Sequence, residues 1–321
     1  MGQKDLAQND YLNDKVRFAD MCNGILFHGK SIMKPEELQE TGEDIVYQED
    51  RRRRKIIPDK VRRWKGLYIA VISLENQTKV DYRMVFRMMK EEAVNYERQW
   101  NERERVYRRK GILGKKSRLC WVGKNEKFAP VIPIVIYYGT DKRWDGATCL
   151  YDMLDMDKEL EAYILNYKIN LFDYHDYKDF SMFKTENREL FEVLSCAKDK
   201  AAMDVLIHEN AKRYGKLSYD AAQLICDIAG IEIELVKEVK QDGREVADMC
   251  KAWDDHKRDG IEEGIKEGIK EGIKEGIKEG IKIFVEDKIE DGIPEDTIID
   301  RLVRRFNLNE KKARQYYRMY S

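Results

Sequence analysis

Apolar positions along the chain fall into two kinds of run. Between residues 10 and 26, Tyr11, Val16, Phe18, Ala19, Cys22 and Leu26 recur at mostly three- and four-residue steps, which predicts a helix ending near Gly24 or Gly29. Leu67 to Leu74 and Val131 to Tyr138 are instead continuous, branched apolar runs of strand length, as in strands covered on both faces. Weaker strands are predicted at 44–48 and 55–61, the second made irregular or an edge by Pro58. From 80 to 107, Met84, Met88, Val94 and Tyr96 punctuate a charged stretch free of Pro and Gly, which predicts one long helix. The expected order is helix, strand, strand, strand, helix, strand, an α/β sandwich.

Beyond about residue 150 the pattern is helical, with helices predicted at 197–212 and 219–228 and no chemistry assigned to them. From Gly260 to Lys282 the chain becomes a tetrapeptide repeat, Gly-Ile-Lys-Glu, with Gly at 260, 264, 268, 272, 276 and 280. Four residues advance about 400° on a helix, so the Ile stripe winds by about 40° per repeat and forms no straight seam. Six helix glycines cost about 5 kcal/mol against alanine. Two readings stay open, a solvated helix or linker and a helix whose small residues permit homo-oligomeric packing. Two short helices are expected at the end, 293–305 and 309–320, as a packing hairpin in preference to a DNA-reading helix-turn-helix. The expected divisions are 1–155, 156–250, 251–283 and 284–321.

The length, 321 residues with 42% hydrophobic content, is ample for a buried core. Charged residues reach 38%, yet the net charge is only -1, so charge matters by segment. Six cysteines lie far apart with no C-x-x-C pair and read as reduced, mostly core-filling thiols. Four histidines show no metal-ligand spacing, so any metal must be held by oxygen. With no long apolar stretch and no apolar signal core after Met1, the expectation is a cytoplasmic protein without a membrane partner.

Candidate chemistry lies at the predicted strand ends. Pro58-Asp59 and Leu74-Glu75-Asn76-Gln77 put one carboxylate on each of two neighbouring strands, with Gln77 on the same side as Glu75. If the strands pair, Asp59 and Glu75 converge on one divalent cation, and hard oxygen ligands suit Mg²⁺ or Mn²⁺. Residues 51–65 hold nine basic side chains against Asp59 alone, and 98–118 hold nine against Glu102 and Glu104. Such segments suit a phosphate backbone or are solvated charge; Trp64, Trp100, Tyr107 and Trp121 in or beside them stack on bases or sugars or pack in the core.

Leu74 to Tyr96 (LENQTKVDYRMVFRMMKEEAVNY), with Pro58-Asp59, VIPIVIYYG at 131–139 and Trp144-Asp145-Gly146, resembles the recombination-promoting, transposase-like nuclease family, the Rpn or YhgA-like group of the PD-(D/E)XK superfamily. The resemblance covers roughly residues 10–155 and, less specifically, the repeat and tail. It implies a restriction-endonuclease-like αβββαβ core followed by a helical region and a helical repeat tail. It implies a Mg²⁺-dependent DNA endonuclease, with Asp59 and Glu75 as metal ligands and Gln77 where the superfamily motif has Lys. Asp20 is an accessory acid by the same likeness. An amide carries no charge, so Lys79, Arg83 or Arg87 is expected to supply it. DNA contacts are expected from Arg52, Arg53, Arg54, Arg62, Arg63, Arg108, Arg109 and Lys110. The competing expectation is a catalytically silent DNA-binding or oligomeric scaffold protein on the same fold.

Overall fold

The structure is a computed structural model that describes residues 10–40, 60–74, 80–112 and 125–321. Helix α1 (Lys15–Phe27) opens at Asp14, whose carboxylate accepts from the Val16 and Arg17 amides, and closes on His28 in the left-handed region. Strands β1 (Leu38–Glu40), β2 (Lys60–Trp64) and β3 (Leu67–Leu74) follow, then α2 (Met84–Arg109), β4 (Val131–Tyr137) and β5 (Asn170–Asp173). They form one sheet in the order β1-β2-β3-β4-β5. The β1–β2 and β2–β3 pairs are antiparallel, and β3–β4 and β4–β5 are parallel.

This is a mixed α/β fold in the order expected, with shifted boundaries. The strand before β2 lies at Leu38–Glu40, and the segment expected to form it, 44–48, is outside the described residues. The second strand runs on past Val61 to Trp64, because Lys65 and Gly66 both take positive φ (45° and 79°) and close a two-residue hairpin into β3. Residues 55–59, its expected first half, are outside the described residues.

Successive side chains of β4 go to opposite faces. Ile134 and Ile136 join Phe18, Met21 and Cys22 of α1 in one core, and Val135 joins Met84, Val85 and Met88 of α2 in another. Apolar layers on both faces explain why this run is continuous and not alternating. The entry to β4 is held by α2: the Gln99 amide donates to Ala129 O (2.9 Å) and accepts from Ala129 N (2.8 Å).

The core does not stop at residue 155. Strand β5 extends the sheet, and helix α3 (Asn187–Cys196) covers it, with Phe191 stacked at 6.0 Å on Tyr138. Helices α4 (Lys200–Glu209), α5 (Ala211–Tyr214) and α6 (Tyr219–Ala229) follow, the first two separated at Asn210 where one helix was expected. A small sheet of β6 (Leu217–Ser218), β7 (Lys237–Val239) and β8 (Glu245–Ala247) is also present, in the order β6-β8-β7. The compact unit runs through Trp253, so the segments expected as 1–155 and 156–250 share one core.

Asp20 fastens α1 to the start of α3. Its carboxylate accepts from Lys184 N (2.7 Å), Thr185 N (3.1 Å), Thr185 Oγ1 (2.7 Å) and Asn187 Nδ2 (3.0 Å). Fully buried Asn187 also donates to Arg17 O (2.9 Å) and accepts from Tyr11 OH (3.0 Å). Close by, Gly24 of α1 lies against the Phe183 ring.

Residues 254–321 form the second unit. Helix α7 (Met249–Glu290) carries the whole repeat as one continuous helix. Ile261, Ile265, Ile269, Ile273 and Ile277 are exposed along it, and Gly260 through Gly276 of the repeat have open space beside them. Farther on, Ile281 and Val285 are buried with Ile298, Ile299 and Leu302 of α8 (Glu295–Phe306) and Ala313 of α9 (Glu310–Tyr320). Helices α8 and α9 therefore pack against the end of α7. Among the described residues no helix is long and apolar enough to cross a membrane.

Two substitutions test this packing. Asp20→Ala leaves buried donors without an acceptor and is expected to cost about 2–4 kcal/mol in denaturant unfolding. Gly24→Ala sets a methyl against the Phe183 ring, and overpacking of about 1–3 kcal/mol outweighs the helix propensity gained. A Gly24→Ala protein as stable as the parent would contradict that close approach.

Candidate functional site

Strands β3, β4 and β5 run parallel, and their register aligns Leu74, Tyr137 and Asp173 at the carboxyl ends. Strand β2 runs the other way and so begins at this edge, with Lys60 opposite Val71. Ligands of sheets with parallel strands bind outside the carboxyl ends. The loop after β4 is tied to the approach to α2, since Tyr82 OH donates to Asp145 Oδ1 (3.1 Å), which also pairs with Lys142 Nζ (2.5 Å, Oδ2). The Lys142 ammonium, with help from Tyr82, holds the Asp145 carboxyl below its usual range.

Asp173, almost wholly buried at the end of β5, organises the neighbouring loops. Its Oδ2 accepts from Trp144 N (2.7 Å), and its Oδ1 takes His175 N (3.1 Å) and His175 Nδ1 (2.6 Å). Tyr174 OH donates to Gly139 O (2.9 Å), and Tyr137 OH donates to Lys142 O (3.0 Å). Burial first, and then the Asp173 charge, push the Tyr137 hydroxyl up.

Of the expected site residues, Asp59, Glu75, Gln77, Lys79, Arg52, Arg53 and Arg54 lie outside the described residues. The described strands reach Lys60 and Leu74, the sequence neighbours of the two expected ligands, at the same edge of the sheet. Arg83 and Arg87 are placed at the start of α2, and both engage Asp81: Arg83 Nε reaches Oδ1 at 3.0 Å and Arg87 Nη1 reaches Oδ2 at 3.0 Å. Burial opposes ionisation of Asp81, but these guanidinium hydrogen bonds outweigh it and hold the carboxyl below its usual range. Asp20 sits in the clamp between α1 and α3, its oxygens taken up by four donors.

The expected DNA-contact set divides. Arg62 is buried, 3% exposed; its Nη2 donates to Asn13 O (3.0 Å), its Nη1 lies 3.4 Å from Glu40, and burial lowers its pKa. It is a core residue because it shares a strand face with Trp64, whose indole donates to Glu37 Oε2 (2.7 Å). The period-two alternation that buries both was hidden within an unbroken basic run. Arg63, on the opposite face, is half-buried, whereas Arg109 and Lys110 are exposed at the end of α2 and Arg108 is exposed beside Glu104 (2.6 Å). Tyr107 is held by Glu126, which also binds Arg103. The described thiols fit the structural role expected, burial pushing Cys226 up to about 12 and Cys196 up to about 11.

The pairing of Asp173 with His175 was not anticipated. Its only trace in sequence is a carboxylate and an imidazole two apart, directly after the apolar run of β5.

No curated protein and no solved structure matches the chain. Residues 60–207 match the family model described as "Putative transposase, YhgA-like", a span that opens with β2 and takes in α2, the carboxyl edge of the sheet and the Asp173–His175 pair. This segment is similar to the YhgA-like putative transposase family, in line with the resemblance its sequence carries.

Proposed function

We propose that this chain is a metal-dependent DNA endonuclease whose first unit carries a PD-(D/E)XK-type core. The family that residues 60–207 match points to recombination-related work on DNA. One observation carries the finer reading: β2 begins and β3 ends at the same edge of the sheet, in direct sequence continuity with Asp59 and Glu75. The order α1, β1, β2, β3, α2, β4, with β3 and β4 parallel, also accords with that core.

The donor set fits a hard cation, since two carboxylates and an amide offer oxygen alone. Asp59 and Glu75 would hold Mg²⁺ or Mn²⁺, with Gln77 orienting water or a ligand. The bound ion would make water more acidic and stabilise the leaving oxygen of the phosphodiester. Arg83 and Arg87 share one carboxylate, Asp81, which leaves the start of α2 with an excess of positive charge facing incoming phosphates. Arg63, Arg108, Arg109 and Lys110, together with Arg52, Arg53 and Arg54, supply backbone contacts. Loss of turnover with retained salt-sensitive DNA binding would favour the catalytically silent alternative.

A second reading concerns assembly. Five exposed isoleucines of the repeat, Ile261 to Ile277, support its pairing with a second copy. Around the helix, a winding stripe of Gly and Ile has Glu on one flank and Lys on the other. Parallel two-fold pairing sets the Glu flank of one helix against the Lys flank of its partner, whereas antiparallel pairing opposes like charges. Among the described residues, Glu267, Lys270, Glu271, Lys274, Glu275 and Lys278 make no ion pair within the chain and are available for this. The four-residue period favours a right-handed crossing.

Purified protein with Mg²⁺ is expected to nick supercoiled plasmid, with the rate falling at least about 100-fold in folded Asp59→Ala or Glu75→Ala and activity abolished by EDTA. A joint Arg108→Ala, Arg109→Ala, Lys110→Ala protein is expected to bind DNA with a salt slope reduced by about 0.9 for each phosphate it no longer neutralises. A slope unchanged from the parent would remove these residues from the interface. For assembly, light scattering on full-length Ile265→Glu, Ile269→Glu, Ile273→Glu protein is expected to give half the parent mass; a monomeric parent would end that reading.

A further inference from the structure

We infer that His175, held by Asp173, is the general base that takes the proton from the attacking water in the hydrolysis proposed above, on which this inference rests. Of the four histidines, His28 follows α1, His208 lies in α4 and His256 in α7; only His175 stands at the carboxyl edge of the sheet. Asp173 is aligned there with Tyr137 and Leu74, and Glu75 follows Leu74 directly.

The pair has the chemistry of an oriented base. Asp173 is 4% exposed and an ionised carboxylate only accepts, so the 2.6 Å contact puts the proton of a neutral imidazole on Nδ1. Nε2 is then left with its lone pair, and no described residue hydrogen-bonds to it. The ring is stacked on Tyr174 at 4.1 Å and 25°, which restrains its plane, while its side chain stays 20% exposed and open to solvent. Trp144 N on the other carboxylate oxygen keeps Asp173 from turning away. A carboxylate needed only to close the short turn after β5 requires the His175 amide and no contact to the ring.

The expected site offers no other neutral base, since Gln77 has no charge and takes up no proton at neutral pH. In the step, a water O–H bond breaks and its proton passes to His175 Nε2. The water oxygen bonds to phosphorus, the bond from phosphorus to the leaving oxygen breaks, and that oxygen takes a proton from solvent. The resulting imidazolium is stabilised by Asp173, a positioning residue, and returns its proton to solvent. Charged and titratable groups around the ring are Asp173, Tyr174 and Asp176 on its own segment, Tyr137 at the end of β4, and Arg143, which donates to His175 O (2.6 Å) and lies 3.5 Å from Asp176.

Plasmid nicking with Mg²⁺, measured as a function of pH, tests the inference. The parent rate is expected to rise with pH. Folded His175→Gln is expected to lose about 100- to 10,000-fold in rate and to lose that rise, with DNA binding retained. In His175→Ala, added imidazole is expected to restore part of the rate and the rise, which a structural role would not do. A parent that cuts while His175→Gln cuts equally well with the same profile overturns the base and leaves the nuclease reading standing. A parent that fails to cut with either Mg²⁺ or Mn²⁺ at every pH overturns both.

Discussion

The double burial of β4 is the constraint on which the first unit depends. The strand is hydrogen-bonded on both edges, by β3 and β5, and apolar on both faces, toward α1 and toward α2. A strand with no exposed edge or face cannot slip by one residue without turning Ile134 and Ile136 out of one core and Val135 out of the other. Everything registered to it, including the level at which β3 and β5 end, is thereby set. The carboxyl edge is a consequence of this register: three parallel strands finish together, and the loops that leave them are tied to one another through Asp173, Asp145 and Tyr82.

Positive charge in this chain serves two purposes that look alike in the sequence. Arg62 and Arg17 are structural cations, the first buried against Asn13 and Glu40, the second clasped by Glu186 at the start of α3 and by Ser218 and Asp220 at the start of α6. Both guanidinium groups are themselves buried, so removing either breaks hydrogen bonds and leaves a gap in the packing, a cost in folding. Arg109 and Lys110 lie at the exposed end of α2, where they favour the helix dipole and remain available to solvent anions. Exposure, which depends on strand face and helix end, separates these roles.

The repeat poses a different balance. Glycine is among the poorest helix formers, yet α7 runs without a break through all six, its later turns anchored by the core that Ile281 and Val285 build with α8 and α9. Helical stability in proteins comes mainly from packing. In the middle of α7, Glu and Lys of successive units supply helix-favouring side chains while Ile and Gly are left facing solvent.

Much of this was legible in the sequence. Two continuous apolar runs announced the covered strands, a charged stretch without Pro or Gly announced α2, and the residues around Leu74 and Trp144 carried the family likeness. These signals are local, because periodicity and turn chemistry act over a few residues. The strand at Leu38–Glu40, the extension of the core through β5 and α3, and the burial of Arg62 were not legible, since each depends on a partner far along the chain. The same holds for the site. Asp59 and Glu75 stood out as carboxylates at predicted strand ends, whereas Asp20 turned from an accessory acid into the tie between α1 and α3 only when Thr185 and Asn187 met it. Asp173 and His175 gained their relation from strand register and the fold of the following turn. Local sequence determined which elements form and what chemistry they carry; tertiary structure decided which side chains are buried, because burial and register are set by neighbours that sequence distance does not reveal.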